Sequence, residues 1–173
     1  MKKETIIRNV SLDRRANVRT IVALAIAAVL IVSVMVHPTL LGMAVICPVV
    51  VLLVLLAMWK APWTVSVDDE GVKVGSSLSS RRIPFSSISS VERADVTGQR
   101  PTPMCSSGIL GYWGNYESDE LGTYQACYGD TSSCFLITTT DGKRHMLGCN
   151  DPEMIIATIR ERIAPAPVKE GDN

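Results

Sequence analysis

Two kinds of hydrophobic pattern divide this chain. Between residues 20 and 59 the apolar positions are continuous. "TIVALAIAAVLIVSVMV" (20–36) and "TLLGMAVICPVVVLLVLLAMW" (39–59) hold no charged residue, and each is near the roughly 20 residues a helix needs to cross a bilayer core. From residue 61 onward the apolar positions come in short alternating runs between turn residues, the period of half-buried strands. The first pattern predicts two transmembrane helices and the second a mainly-β domain.

Only "HP" separates the two apolar runs, and Pro38 disfavours helical geometry at His37, so a membrane hairpin is expected. Pro48 inside the second run removes one backbone hydrogen bond and predicts a kink, which membrane helices tolerate. Lys2, Lys3, Arg8, Arg14, Arg15 and Arg19 precede the first run and Lys60 follows the second, against His37 alone in the turn. That bias puts both termini on the cytoplasmic side. A cleaved signal peptide is disfavoured, because "VSVMVHPTLL" offers no convincing small-residue cleavage site.

In the β region, "TVSVDDEGVKV" reads as strand, acidic turn and strand, with Val65 and Val67 answered by Val72 and Val74. "RRIPFSSISSVERADV" continues the alternation through Ile83, Phe85, Ile88 and Val91, with Pro84 suited to an edge or a strand start. After the loop "TGQRPTPMCSSG" come "GTYQACYG" and "SCFLITTTDGKRHMLGC", where Asp141-Gly142 marks a hairpin. Asp151 is placed to cap a helix with Pro152 in its first turn. Along that helix Ile155, Ile156, Ile159 and Ile163 form an apolar stripe, leaving Glu153, Arg160, Glu161 and Arg162 to water. Strands followed by one amphipathic helix predict a small barrel or sandwich closed by that helix. The expected plan is a basic arm at 1–19, helices at 20–36 and 39–59, a domain at 60–163 and a disordered, proline-punctuated tail at 164–173.

"IPFSSISSVE", "GYWGNY", "GTYQAC" and "FLITTTDGKRHML", followed by "NDPEMIIATI", resemble the bacterial pleckstrin-homology (PH) domain proteins in which a two-helix membrane hairpin precedes a PH-like barrel. The resemblance covers residues 61 to about 163 plus the hairpin. It implies a membrane α-helical hairpin with a mainly-β PH-like barrel or sandwich, held at the cytoplasmic face of a bacterial inner membrane. These motifs are patterns of shape and carry no catalytic signature.

Charge narrows the partners. The formal net charge is zero, yet residues 1–19 carry six basic against two acidic residues, while residues 61–173 carry ten against fifteen. An acidic domain argues against nucleic acid, whose affinity rests on neutralising phosphates, and against broad adhesion to anionic lipid. The PH resemblance suggests phosphoinositide binding through basic residues on the first two strands and their loop. Here that loop is "DDEG", so phosphoinositide is not the expected ligand. Lys73, Arg81 and Arg82 remain candidates for a weak anion site, with solvated surface charge the favoured reading.

Catalytic chemistry finds little support. Cys105, Cys127, Cys134 and Cys149 lie beyond the helices without a Cys-x-x-Cys pair and are expected as free thiols, with Cys47 inside the second helix. His145 is the only histidine of the domain and has no local nucleophile arrangement. No catalytic residue, metal ligand or cofactor is expected. Gly108, Gly111 and Gly114 are spaced by three, which matches neither the dinucleotide fingerprint nor the P-loop. Two readings of "GILGYWGNY" stand: an irregular strand in the domain wall with Trp113 in the core, or a partner-binding surface formed by Tyr112, Trp113 and Tyr116. The expected function is a non-enzymatic, membrane-anchored adaptor that binds another membrane protein or a second copy of itself. The alternative is a sensor of lipid or a small ligand.

Overall fold

Residues before the first helix already belong to the folded domain. In the computed structural model, which describes residues 5–76, 80–103 and 105–163, strand β1 (Ile6–Asn9) pairs antiparallel with a strand that follows the second helix. Of the basic arm expected at 1–19, residues 6–9 form a sheet edge and residues 14–19 the start of a helix. The tail expected at 164–173 lies outside the described residues.

Helix α1 (Arg14–Val36) starts six positions earlier than the apolar run, because Asp13 caps it: its carboxylate accepts a hydrogen bond from the Ala16 N–H at 2.6 Å. The second helical segment opens with a π turn at Gly42–Ile46 and continues as α2 (Cys47–Lys60). Pro48 lacks the N–H that a regular helix would use there. The wider π turn just before it absorbs the defect, so the expected kink is a local change of helix type. Gly42 is buried, and a Cβ there would approach Thr39 Oγ1 to 2.9 Å and Val34 Cγ1 to 3.1 Å. A small residue thus lets the two helices come close. Both Arg14–Val36 and Gly42–Trp59 are long and apolar enough to cross a membrane.

The first sheet is antiparallel in the order β1-β2-β3-β4, with β2 Pro62–Val67, β3 Gly71–Ser76 and β4 Ser80–Pro84. The Asp68 carboxylate makes the expected acidic turn by accepting from the N–H groups of Glu70 and Gly71 at 3.0 and 2.9 Å. The second sheet contains β5 (Ile88–Arg93), β6 (Arg100–Pro101), β7 (Ser106–Gly108), β8 (Gly111–Ser118), β9 (Gly122–Tyr128), β10 (Cys134–Thr139) and β11 (Arg144–Gly148). Its order is β5-β10-β11-β9-β8-β6, with β7 also on β8. The β9–β11 pair is parallel. Helix α3 (Pro152–Ile163) completes the domain.

The closed barrel is not formed. β4 ends the first sheet without a backbone ladder to the second, and the chain changes sheets through a 3-10 turn at Phe85–Ser87. Across the resulting seam, Arg81 of β4 reaches the Gln125 side chain of β9. Side chains join the sheets where a barrel would use backbone, so the result is a sandwich with an open seam.

One core lies between the sheets and under α3, joining Val65, Val67, Val72, Phe135, Ile137 and Ile155 among others. A second core lies on the other face of the second sheet and includes Tyr112, Tyr116, Tyr124, Tyr128, Leu136 and Met146, with Ala16 of α1. Strand β10 is consequently buried on both faces, which explains its nearly continuous apolar sequence.

The isoleucine stripe of α3 faces the first core as expected, but two of its arginines do not simply face water. Arg160 donates to the Val91 carbonyl from Nε at 3.2 Å and Nη2 at 3.1 Å. Arg162 donates to the Asp68 carbonyl and lies over the Phe85 ring, 5.8 Å from its centroid. Ile159→Asp places a carboxylate in a fully buried position and is expected to cost about 3 kcal/mol or more. Arg160→Ala removes two hydrogen bonds to one carbonyl at an exposed position and is expected to cost about 1 kcal/mol. Denaturant unfolding of both variants checks the ranking, and equal losses would mean that α3 is not docked.

Candidate functional site

Strand β8 and its glycines organise the face of the domain from which the helices depart. Gly108 and Gly111 adopt φ of 107° and 99°, and Leu110 between them has φ 54°. This left-handed geometry folds "GILG" into the tight turn that pairs β7 with β8. The turn is where α1 is gripped: the Leu110 N–H donates to Thr20 Oγ1 at 2.8 Å, and Arg19 donates to the Ser107 carbonyl.

On one face of β8 stand Tyr112 and Tyr116, which the sequence offered as contact surface. Both are buried, at 6% and 1% exposure. Tyr112 stacks on Tyr128 with ring centroids 5.1 Å apart, and Tyr116 on Tyr124 at 6.0 Å, in register with the β8–β9 pairing. Their hydroxyls are all placed. Tyr116 donates to the Ser106 carbonyl at 2.5 Å, Tyr124 and Tyr128 both donate to Gln99 Oε1 at 3.0 and 2.5 Å, and Tyr112 points to Asp13 at 3.4 Å. Burial pushes the Tyr124 phenol up to about 12 and Tyr116 and Tyr128 further still, so the ladder stays neutral. Through Asp13 it meets the cap of α1. Beside it opens a cleft of about 380 Å³ lined in part by Arg14, Arg15, Arg19, Gln99 and Tyr112.

Trp113 points to the other side of β8, where the seam between the sheets holds a cavity of about 270 Å³. Trp113 is half-buried there, with its indole N–H shielded from solvent and without an acceptor among the described residues. The lining also includes Trp59 from the last turn of α2, Arg81, Gln125, Cys127 and His145. Burial, and then the Arg81 charge, lower the His145 pKa, favouring the neutral imidazole. Burial raises the Cys127 thiol to about 11, leaving it protonated and a poor nucleophile at neutral pH.

The three candidates for an anion site are split. Lys73 and Arg82 are cross-strand partners on one face of the first sheet, whereas Arg81 pairs with Val74 on the other and turns to the seam. Arg82 is held by Asp68 at 2.9 Å and by Glu70, so the acidic turn consumes its charge. Cys47, Cys105, Cys127, Cys134 and Cys149 are free thiols, and no group of His, Cys, Asp and Glu among the described residues could hold a metal ion. Residues that sequence reasoning missed are Asp13, Gln99 and Trp59. The only signal for the ladder was the shared spacing of Tyr112 and Tyr116 with Tyr124 and Tyr128, four apart and so on one face of each strand.

Two sheets, a C-terminal helix across them and cavities beside an irregular strand define a mainly-β domain of the PH type. The chain belongs to the Bacterial PH domain family, which its residues 63–163 match; PH domains are generally non-catalytic binding modules. Comparison with curated proteins and with solved structures gives no match.

Proposed function

We propose that this protein is a non-enzymatic interaction module mounted on a membrane by its two apolar helices, with both termini and the PH domain on the cytoplasmic side. The observation that carries this reading is the exposure of the helices. Only Ala16 and Thr20 of α1 are buried, while Ile21, Val29 and Met35 are 66, 67 and 76% exposed and Leu52, Leu53 and Leu55 between 55 and 60%. Contiguous apolar surface on this scale exceeds the few hundred Å² that a soluble monomer usually shows, and a bilayer would cover it. Orientation rests on Arg8, Arg14, Arg15, Arg19 and Lys60 at one end against His37 at the other.

Mounting raises the effective concentration of the domain toward other membrane proteins, so a modest intrinsic affinity suffices for an adaptor. The expected partner is another membrane protein or a second copy of this chain. The seam cavity favours a second reading, a sensor of lipid or a small ligand.

Labelling in intact cells tests the mounting. His37→Cys is expected to react with an impermeant thiol reagent added outside, well above the level of the unsubstituted chain, while a reporter fused after Asn173 is active only in its cytoplasmic form. Protection at position 37 together with an external C-terminus would overturn the proposal. Cross-linking in the same membranes is expected to capture a second protein or a dimer; recovery of the monomer alone would count against the adaptor role.

A further inference from the structure

We propose that the seam cavity binds the singly charged oxyanion head of a membrane amphiphile, a carboxylate or a phosphodiester, with Arg81 as its charge partner. The inference rests on the membrane mounting for the source of the ligand.

The cavity differs from the domain around it. Residues 61–173 are acidic, yet among the described residues the lining contains Arg81 and His145 and no Asp or Glu. With the imidazole favoured neutral, Arg81 is the one positive charge among the described lining residues, which matches a monoanion and disfavours a metal cation. The cavity's polar groups include two donors, the Arg81 guanidinium and the imidazole, while the Trp113 indole N–H is shielded behind the lining, without an acceptor among the described residues. Donors around a single cation form the kind of wall that an oxyanion satisfies. The lining also includes the apolar Val74, Ile83 and Leu147, as an amphiphile requires. Finally, Trp59 belongs to the last turn of α2, so the cavity lies beside the point where the helix meets the domain. Tryptophan at such a junction suits the headgroup layer.

The chain has three tryptophans, so full-length protein labelled with 15N-tryptophan in uncharged maltoside micelles gives three indole N–H signals. Trp59→Phe and Trp63→Phe assign them, leaving Trp113 by elimination. Oleate and phosphatidylglycerol are titrated separately, with phosphatidylcholine as the zwitterionic comparison and acetate and inorganic phosphate as anions without a tail. A saturable shift of the Trp113 and Trp59 signals is expected with at least one of the two anionic lipids, while Trp63 stays still. Arg81→Gln is expected to raise the concentration for half-saturation about ten-fold, the usual scale for losing a charge-assisted bond. A response to oleate alone identifies a carboxylate head, to phosphatidylglycerol alone a phosphodiester, and to both a head read by its charge. No shift with either lipid, equal movement of all three signals, an equal response to phosphatidylcholine, or the same half-saturation in Arg81→Gln would overturn the proposal. Acetate or phosphate acting at the same concentration as the lipids would also overturn it, by removing the tail from recognition. Because the titration is made in micelles, its failure would leave the labelling result for the mounting untouched.

Discussion

Tyr128→Ala is expected to lose about 4 kcal/mol, enough to unfold much of a domain whose total stability is of order 5–15 kcal/mol. Tyr128 is fully buried, stacks on Tyr112 and gives Gln99 a 2.5 Å hydrogen bond. Truncation leaves a ring-sized void between the second sheet and the segment carrying Gln99, and Tyr112 loses an aromatic contact worth about 1 kcal/mol. Tyr128→Phe separates packing from bonding. It keeps the ring, and Gln99 retains Tyr124 at 3.0 Å, so the loss is expected to be about 1 kcal/mol. Chemical unfolding of the full chain in micelles, followed by near-ultraviolet circular dichroism, measures both. An alanine variant within 1 kcal/mol of the parent would show that the tyrosine ladder is not core.

Gly129→Ala is expected to detach the N-terminal segment while leaving the sandwich folded. A Cβ at this position would stand 2.2 Å from the Ser11 carbonyl oxygen and 3.0 Å from its carbon. These are backbone atoms that no rotamer change can move aside. The segment is also tied there by the Asp13 N–H to the Gly129 carbonyl at 3.0 Å, and by Asn150 N–H to Asn9 and Val10 N–H to Trp63, each at 2.9 Å. Relief requires the chain from β1 to Asp13 to lift away, which sacrifices these bonds at an expected cost of about 3 kcal/mol. Hydrogen exchange distinguishes this from global unfolding: amides of residues 6–9 should exchange much faster in the variant, while those of β10 stay protected. Unchanged protection at residues 6–9 would refute the close packing of Gly129 on Ser11.

These two sites mark what periodicity could and could not reveal. Hairpins at Asp68–Gly71 and Asp141-Gly142 and the stripe of α3 are local, so the spacing of valines and isoleucines was sufficient. β1 was invisible because its four residues alternate too briefly, and its partner lies beyond both apolar helices. The ladder was half legible. Alternation separated Trp113 from Tyr112 and Tyr116, but only the β8–β9 register shows that Tyr124 and Tyr128 cover the latter two. At the Asp68 turn, sequence counted loose charges, whereas Arg82 and Arg162 engage it from β4 and α3. The open seam was unreadable for a related reason: alternation describes the two faces of each strand and says nothing about whether β4 finds a backbone neighbour.

The pairing of β1 with β2 has a mechanical consequence. The register from Ile6↔Val67 to Asn9↔Thr64 makes both helices an excursion between adjacent strands, which in any sheet lie about 4.8 Å apart. A domain joined to a helix pair by one flexible linker can swivel; this one is joined to its pair at two points, with Asp13 and the β7–β8 turn fixing the outgoing rod and β2 continuing from the returning one. Tilting the rods against each other would load the sheet edge directly. During synthesis the order is reversed in time: the first strand leaves the ribosome before either rod and has to wait, unpaired, until the chain returns to complete its sheet.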